Sequence, residues 1–486
     1  MKIQIARATA TLLMVLLSLQ LVWATCGGGG GGGGGGMPGG AGGSGGASNP
    51  EVYFVPWKIR KPNDSPPMGL VLYWFPRTND ELKRSSMRES RLLSLYASQC
   101  VSMELADYKT PQGQKLVGES QPPVAVLATP DGTAISKVEK NKDGLLKVDQ
   151  VEKVVESEMK QRASTVDGHL KEAKEKAKAG DSEAAIKLFQ SVVEQKCMFP
   201  KKAKDAAKEL KKLGVSEVAE FADAPDSGTP VLDSRESRHI EQTMKSGLRA
   251  EIAAKYLLAE QLYRRAHLMD PADPTPLRYL GELYRHHTGE WNKARTTFEA
   301  ILDMPSDRLS RAVALHGLGK MTIHEGEFKK GLALMEASVE EYPLALAYRN
   351  LAVYWNSEGD AGKTEQYTKK AVEVDPKDPY NLVFAAVFMA ASGKGDDALR
   401  IARENQSLLP ASYNLAAIFA QMGQREKALS LLKRHFFRYE RYQAVRAKEM
   451  MEARVDAVFD SLREDPGFVA LTRGADGKLP MPMGNR

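Results

Sequence analysis

Residues able to do chemistry are sparse in this chain and badly spaced for it. His286 and His287 are adjacent, and His316 and His324 are eight apart on one helical stretch. Zinc held by a helix takes histidines four apart on one face, so neither pair forms a metal site by spacing. No Gly-Lys-Ser/Thr phosphate loop and no Gly-x-Ser-x-Gly elbow is present. There are three cysteines, Cys26, Cys100 and Cys197. With Cys26 at a processing point, the two left are too few for a disulfide framework. Cys100 and Cys197 therefore read as small apolar residues, the first at a helix end. The expectation is no catalytic, cofactor or metal residues, and no enzyme.

The elements that would have to position any site fill 486 residues, enough for two or three domains. Hydrophobic residues make up 42% and charged residues 27%, as in soluble globular proteins. The net charge of +6 is dispersed, with no basic stripe carrying aromatics, so nucleic-acid binding has no support.

Residues 1–25 read as an export signal: Lys2 and Arg7, then an apolar run from Leu12 to Val22, then small residues. A retained membrane anchor is the competing reading of that run. Val22-Trp23-Ala24 fits ordinary signal cleavage. Cys26, followed by ten glycines, resembles the lipid-modified first residue of a bacterial lipoprotein, although Trp23 and Thr25 depart from that pattern. Lipidation at Cys26 and free secretion both stay open. The location implied is the periplasm, the outer membrane or the exterior of a bacterium, with the membrane touched only through the lipid. Residues 26–50, nearly all Gly, Ala and Ser, read as a flexible tether.

Residues 51–162 read as a small α/β domain. Val52–Val55 and Gly69–Phe75 are expected strands, and 80–99 an expected helix. Strands follow at Val101–Leu105, Val124–Leu127 and Ala134–Val138, with a closing helix at Leu146–Gln161. That order resembles the thioredoxin fold. Pro123, just before an apolar strand, matches its cis-proline. Where redox members carry Cys-x-x-Cys, this chain has Thr78 and Glu81, so the resemblance implies the fold without its thiol chemistry.

Residues 163–221 are helical, with one repeat-like unit at Gly180–Phe189, and 222–236 form a linker. In 237–440, glycine turns recur at Gly326, Gly359 and Gly393, 33 and 34 residues apart, and hairpins end in Pro271, Pro305, Pro343, Pro376 and Pro410. Leu-small pairs recur at Leu280-Gly281, Leu318-Gly319, Leu351-Ala352 and Leu415-Ala416, and large residues at Phe298, Met335 and Leu432. Gly289 comes one residue late. This resembles the tetratricopeptide repeat, with six units, and residues 441–486 read as a capping tail. The fold class expected is thus a thioredoxin-like α/β domain followed by an all-α superhelix.

The resemblance implies a concave groove that binds a protein or peptide. Carried onto this chain, its wall is Arg278, Glu282, Arg285, His286, His316, Lys320, Arg349, Val353, Asn356, Tyr380, Val383 and Val387. Its early part is polar and mostly basic, suited to carboxylates. A non-catalytic interaction scaffold in the cell envelope is the function implied. The alternative is an accessory or docking factor for a redox or maturation enzyme, working through the thioredoxin-like domain.

Overall fold

The computed structural model describes residues 52–473, apart from 61–65, 79–80, 83–84, 216–232, 410–411 and 440–442. The export signal, the tether, Cys26, Pro410 and most of the linker lie outside the described residues.

The sheet is built on β1 (Leu70–Phe75), a strand buried along its whole length. Alternation puts Leu70, Leu72 and Trp74 into one core and Val71, Tyr73 and Phe75 into another on the opposite face. A run apolar on both faces belongs in the middle of a sheet. There it sits, with β2 (Val101–Leu105) parallel on one side and β3 (Val124–Ala128) antiparallel on the other. The hairpin strand β4 (Ala134–Glu139) completes the order β2-β1-β3-β4. Helix α1 (Arg91–Ser98) makes the crossover from β1 to β2 and packs on the first face through Leu92, Leu93 and Tyr96. Helix α2 (Pro111–Val117), which the sequence reading did not contain, covers the other face with Leu116 and Val117. The peptide bond Pro122-Pro123, before β3, is cis.

Several expectations are corrected. The single helix expected over 80–99 is broken: Ser85 caps a 3₁₀ turn (Ser86–Arg88) and Ser90 then caps α1, each side chain accepting from a backbone N–H. Such serines compete with a continuous helix. Val52–Val55 is not a strand. Val52 and Tyr53 instead enter the core of the repeat array, and Lys58 makes the parallel bridge to Glu104 of β2. The closing helix does not stop at Gln161. Helix α3 runs from Val148 to Lys178, through the boundary expected at 162/163, because good helix formers with one glycine and no proline lead up to Gly180. Its second half packs with α4 (Ser182–Glu194) and α5 (Pro200–Lys212), and one core extends from the sheet through all three. Cys100 and Cys197 are not separate apolar residues: they form a disulfide with Cα atoms 5.8 Å apart, stapling the end of α1 to the α4–α5 turn.

Beyond the linker the chain folds into six helical hairpins. Their inner helices are α6 (Ser234–Ile252), α8 (Thr275–Glu282), α10 (Arg308–His324), α12 (Ala345–Ser357), α14 (Pro379–Ala391) and α16 (Tyr413–Gln421). The outer helices are α7 (Tyr256–Met269), α9 (Trp291–Asp303), α11 (Phe328–Glu341), α13 (Ala361–Val374), α15 (Gly395–Asn405) and α17 (Arg425–Arg434). Gly326, Gly359 and Gly393 take positive φ at three inner-to-outer turns. The late Gly289 has a structural counterpart: α8 ends in a π-helical turn, Leu283–Thr288, which absorbs an extra residue. A second π-helical turn, His435–Tyr439, follows α17. Helix α18 (Gln443–Val455), a 3₁₀ turn (Ala457–Leu462) and α19 (Pro466–Thr472) then close the array.

Candidate protein-binding channel

The hairpins of the array pack closely, and Phe298 shows how. Its ring, on α9, lies between Gly281 of its own hairpin and Gly317 of the next. No side chain fits at either glycine, so two inner helices can approach one outer helix. Repetition of such contacts stacks inner helices beside one another, α8 on α10, α12 on α14 and α14 on α16.

The expected wall residues divide into three groups. Arg278 and Arg349 are ties between hairpins. Arg278, 3% exposed, donates to Ser310 of α10 and to the Val52 carbonyl, and lies over the Tyr279 ring. Arg349 donates to Asn381 of α14, stacks over Tyr380, and is held below its ordinary pKa by burial. His316 repeats the pattern, 2.7 Å from the Asn350 amide of α12. The apolar residues Val353, Val383 and Val387 are buried in the array's cores, and Asn356 is exposed at the end of α12.

Arg285 and Lys320 form the third group. Arg285 pairs with Glu282 at 2.6 Å, and Lys320 is half-buried on α10. Both act on His286 and His316. Burial first, then His287 in the case of His286, and these cations after it, hold the two imidazoles well below their ordinary pKa. Arg285 and His286 of the second hairpin and Lys320 and the buried His316 of the third therefore lie within electrostatic reach of one another. This is a tetratricopeptide-like helical repeat array.

Comparison with known proteins adds little beyond that. No family model matches the chain. It is 25% identical over 223 residues to the protein CTR9 homolog of Arabidopsis thaliana, covering 36% of this chain and 20% of that protein. The chain thus spans about a fifth of that relative's length. Among solved structures it is similar to a tetratricopeptide repeat protein from Parabacteroides merdae, at 13% identity and a TM-score of 0.31, covering 64% of this chain and 99% of that one. It is also similar to pilF of Pseudomonas aeruginosa, at 14% identity and a TM-score of 0.30, covering 55% and 99%.

Two occupants of the array went unforeseen. One is the segment Val52–Phe54, laid along the N-terminal ends of the inner helices. The Tyr279 hydroxyl reaches the Val52 carbonyl, and Phe54 helps wall a recess of about 520 Å³ with Tyr342, Tyr348 and Val374. The other is α18. Its Glu449 lies 3.1 Å from His435, and its Glu452 lies 3.9 Å from His324 at the end of α10. It also packs on the π-helical turn after α8. A legible signal existed for it: two carboxylates three apart on a helix, opposite in sign to the wall.

In the turn after β1, Thr78 accepts from the Glu81 N–H at 3.2 Å and Glu81 accepts from the Arg77 N–H.

Proposed function

We propose that this chain is a non-catalytic protein–protein interaction scaffold of the bacterial cell envelope, whose repeat array grips a partner protein or peptide in its concave channel. The observation that carries this reading is the array of stacked helical hairpins itself, a fold whose inner helices pack side by side and leave one face of the stack for a partner. The N-terminal unit is a thioredoxin-like fold in this proposal, supported by the strand order β2-β1-β3-β4 and the cis peptide before β3. It serves as a rigid mount and not as a thiol catalyst. The Cys100–Cys197 disulfide supports export, because such bonds persist in oxidising compartments.

The test is site-specific photocrosslinking in the native host. A crosslinker replacing Asn356, exposed on inner helix α12, should trap a partner protein. One replacing Lys369, exposed on outer helix α13, should not. Equal yields from both faces, or none from either, would overturn the channel assignment. Mass spectrometry of the mature N-terminus tests export: a chain beginning at Cys26 with diacylglycerol, or at Thr25 without it, is expected, and an intact Met1 would refute it.

A further inference from the structure

Each hairpin in a stack touches mainly its neighbours, so distant hairpins are bridged by segments from outside the stack. Helix α18 makes such a bridge. It follows the sixth hairpin, packs on the π-helical turn that ends α8 in the second, and brings Glu452 toward His324 in the third. Its carboxylates are buried, Glu449 and Glu452 each 6% exposed, and Met450 and Ala453 beside them are buried too. Opposite them stand imidazoles from two places in the array: His435, 3.1 Å from Glu449, and His324 of the third hairpin, 3.9 Å from Glu452. Both π-helical turns pack on α18, one carrying His286 and the other His435. Buried carboxylates set against imidazoles define a recognition chemistry, and the chain itself supplies the ligand that satisfies it.

We propose that the channel recognises an amphipathic helix with two carboxylates three residues apart beside small apolar side chains, and that α18 is a resident copy of that ligand which a partner displaces. This rests on the scaffold reading and adds the partner's chemistry to it. The resident α18 holds the facing imidazoles in place, and an incoming helix replaces it group for group. A partner competing with a tethered segment meets a high local concentration of that segment, so binding to the resting chain is weakened.

A fluorescein-labelled peptide with the sequence of residues 443–456 is titrated by anisotropy into the full chain. The receivers are the parent and the double variant Glu449→Gln/Glu452→Gln, whose own α18 is held less well. The acidic peptide should bind the variant at least about tenfold more tightly than the parent, and a peptide with both glutamates changed to glutamine should show no such gain. Hydrogen exchange of the parent should show faster exchange across 446–455 when the peptide saturates it, with α10 and α12 unchanged. That second measurement needs no variant, and so stands if the substituted chain fails to fold. Equal affinities in parent and folded variant, or exchange in α18 indifferent to the peptide, would make α18 a fixed end cap and overturn the proposal. Neither result touches the scaffold reading, which stands or falls on the Asn356 crosslink.

Discussion

The Tyr53 hydroxyl donates a buried hydrogen bond of 2.8 Å to Asp273, 220 residues further along the chain. Burial, and the adjacent carboxylate after it, push the phenol well above its ordinary pKa, so it stays a neutral donor. The same Asp273 oxygen accepts from Arg91 of α1 at 3.0 Å, and Arg91 also reaches Asp270 and Ser237. One carboxylate thus joins the N-terminal segment, the α/β unit and the first hairpins of the array. Arg91→Ala would leave Asp273 buried without its cation, at a cost of about 3–5 kcal/mol. Tyr53→Phe removes one neutral donor and should cost about 1–2 kcal/mol. Calorimetry checks both, and a double variant whose loss falls short of the two losses added would show that they act through the same carboxylate.

Cys100 and Cys197 close a loop 97 residues apart in sequence. Chain-entropy reasoning puts the stabilisation at up to about 4.7 kcal/mol for a loop of that size. Reduction, or Cys100→Ser, should lower the melting temperature by several degrees. A non-reducing peptide map should contain the two cysteines in one crosslinked species, and two separate free thiols would contradict the pairing.

Phe298 makes Gly281 and Gly317 intolerant of a methyl group, since a Cβ at either would lie well inside contact distance of the ring. The ring is held from both sides and has nowhere to retreat. Gly281→Ala or Gly317→Ala should destabilise the array by about 1–3 kcal/mol despite alanine's better helix propensity. Adding Phe298→Leu should recover part of either loss, and additive losses would rule out the shared ring as the cause.

His316 is kept neutral by burial first and nearby cations second, and its Nε2 faces the Asn350 amide. Its folded pKa lies below the ordinary 6.5, so the unfolded chain binds more protons in that window. The stability it contributes is complete above about pH 6.5 and is lost as pH falls below that value, at about 1.4 kcal/mol per pH unit. Asp456, pushed up to about 8 by burial, contributes the opposite slope across the same range. The measurement is therefore a difference: parent minus His316→Gln stability, from pH 7.5 to 5.5, should decline on acidification. A flat difference would mean that His316 is not held neutral.

Thr78 and Glu81 spend their side chains on hydrogen bonds to local backbone N–H groups and carry no thiol. The full chain should therefore leave insulin disulfides intact at the rate of a protein-free control. Turnover well above that control would contradict the assignment.

The repeat array was legible in the sequence because its signals are local and recur. A positive-φ glycine, a small residue against a ring and a helix-ending proline each act within a few residues, and a period near 34 multiplies them. The buried strand at Leu70–Phe75 was legible because an uninterrupted apolar run is a local signal, whereas the cis bond at Pro123 was expected only through the thioredoxin resemblance. What tertiary structure decided is where groups distant in sequence meet. Nothing local to Cys100 or Cys197 names the other, and the apolar, β-prone run Val52–Val55 reads as a strand until Asp273 is beside it. Wall positions carried over from a repeat pattern say which way a side chain faces and leave open what already lies there. For Arg278 and Arg349 it is the next hairpin, and for the turn that carries His286 it is helix α18. Burial energy is won by contacts across the whole fold, so partner choice for these buried charges is non-local even where the helices that carry them are not.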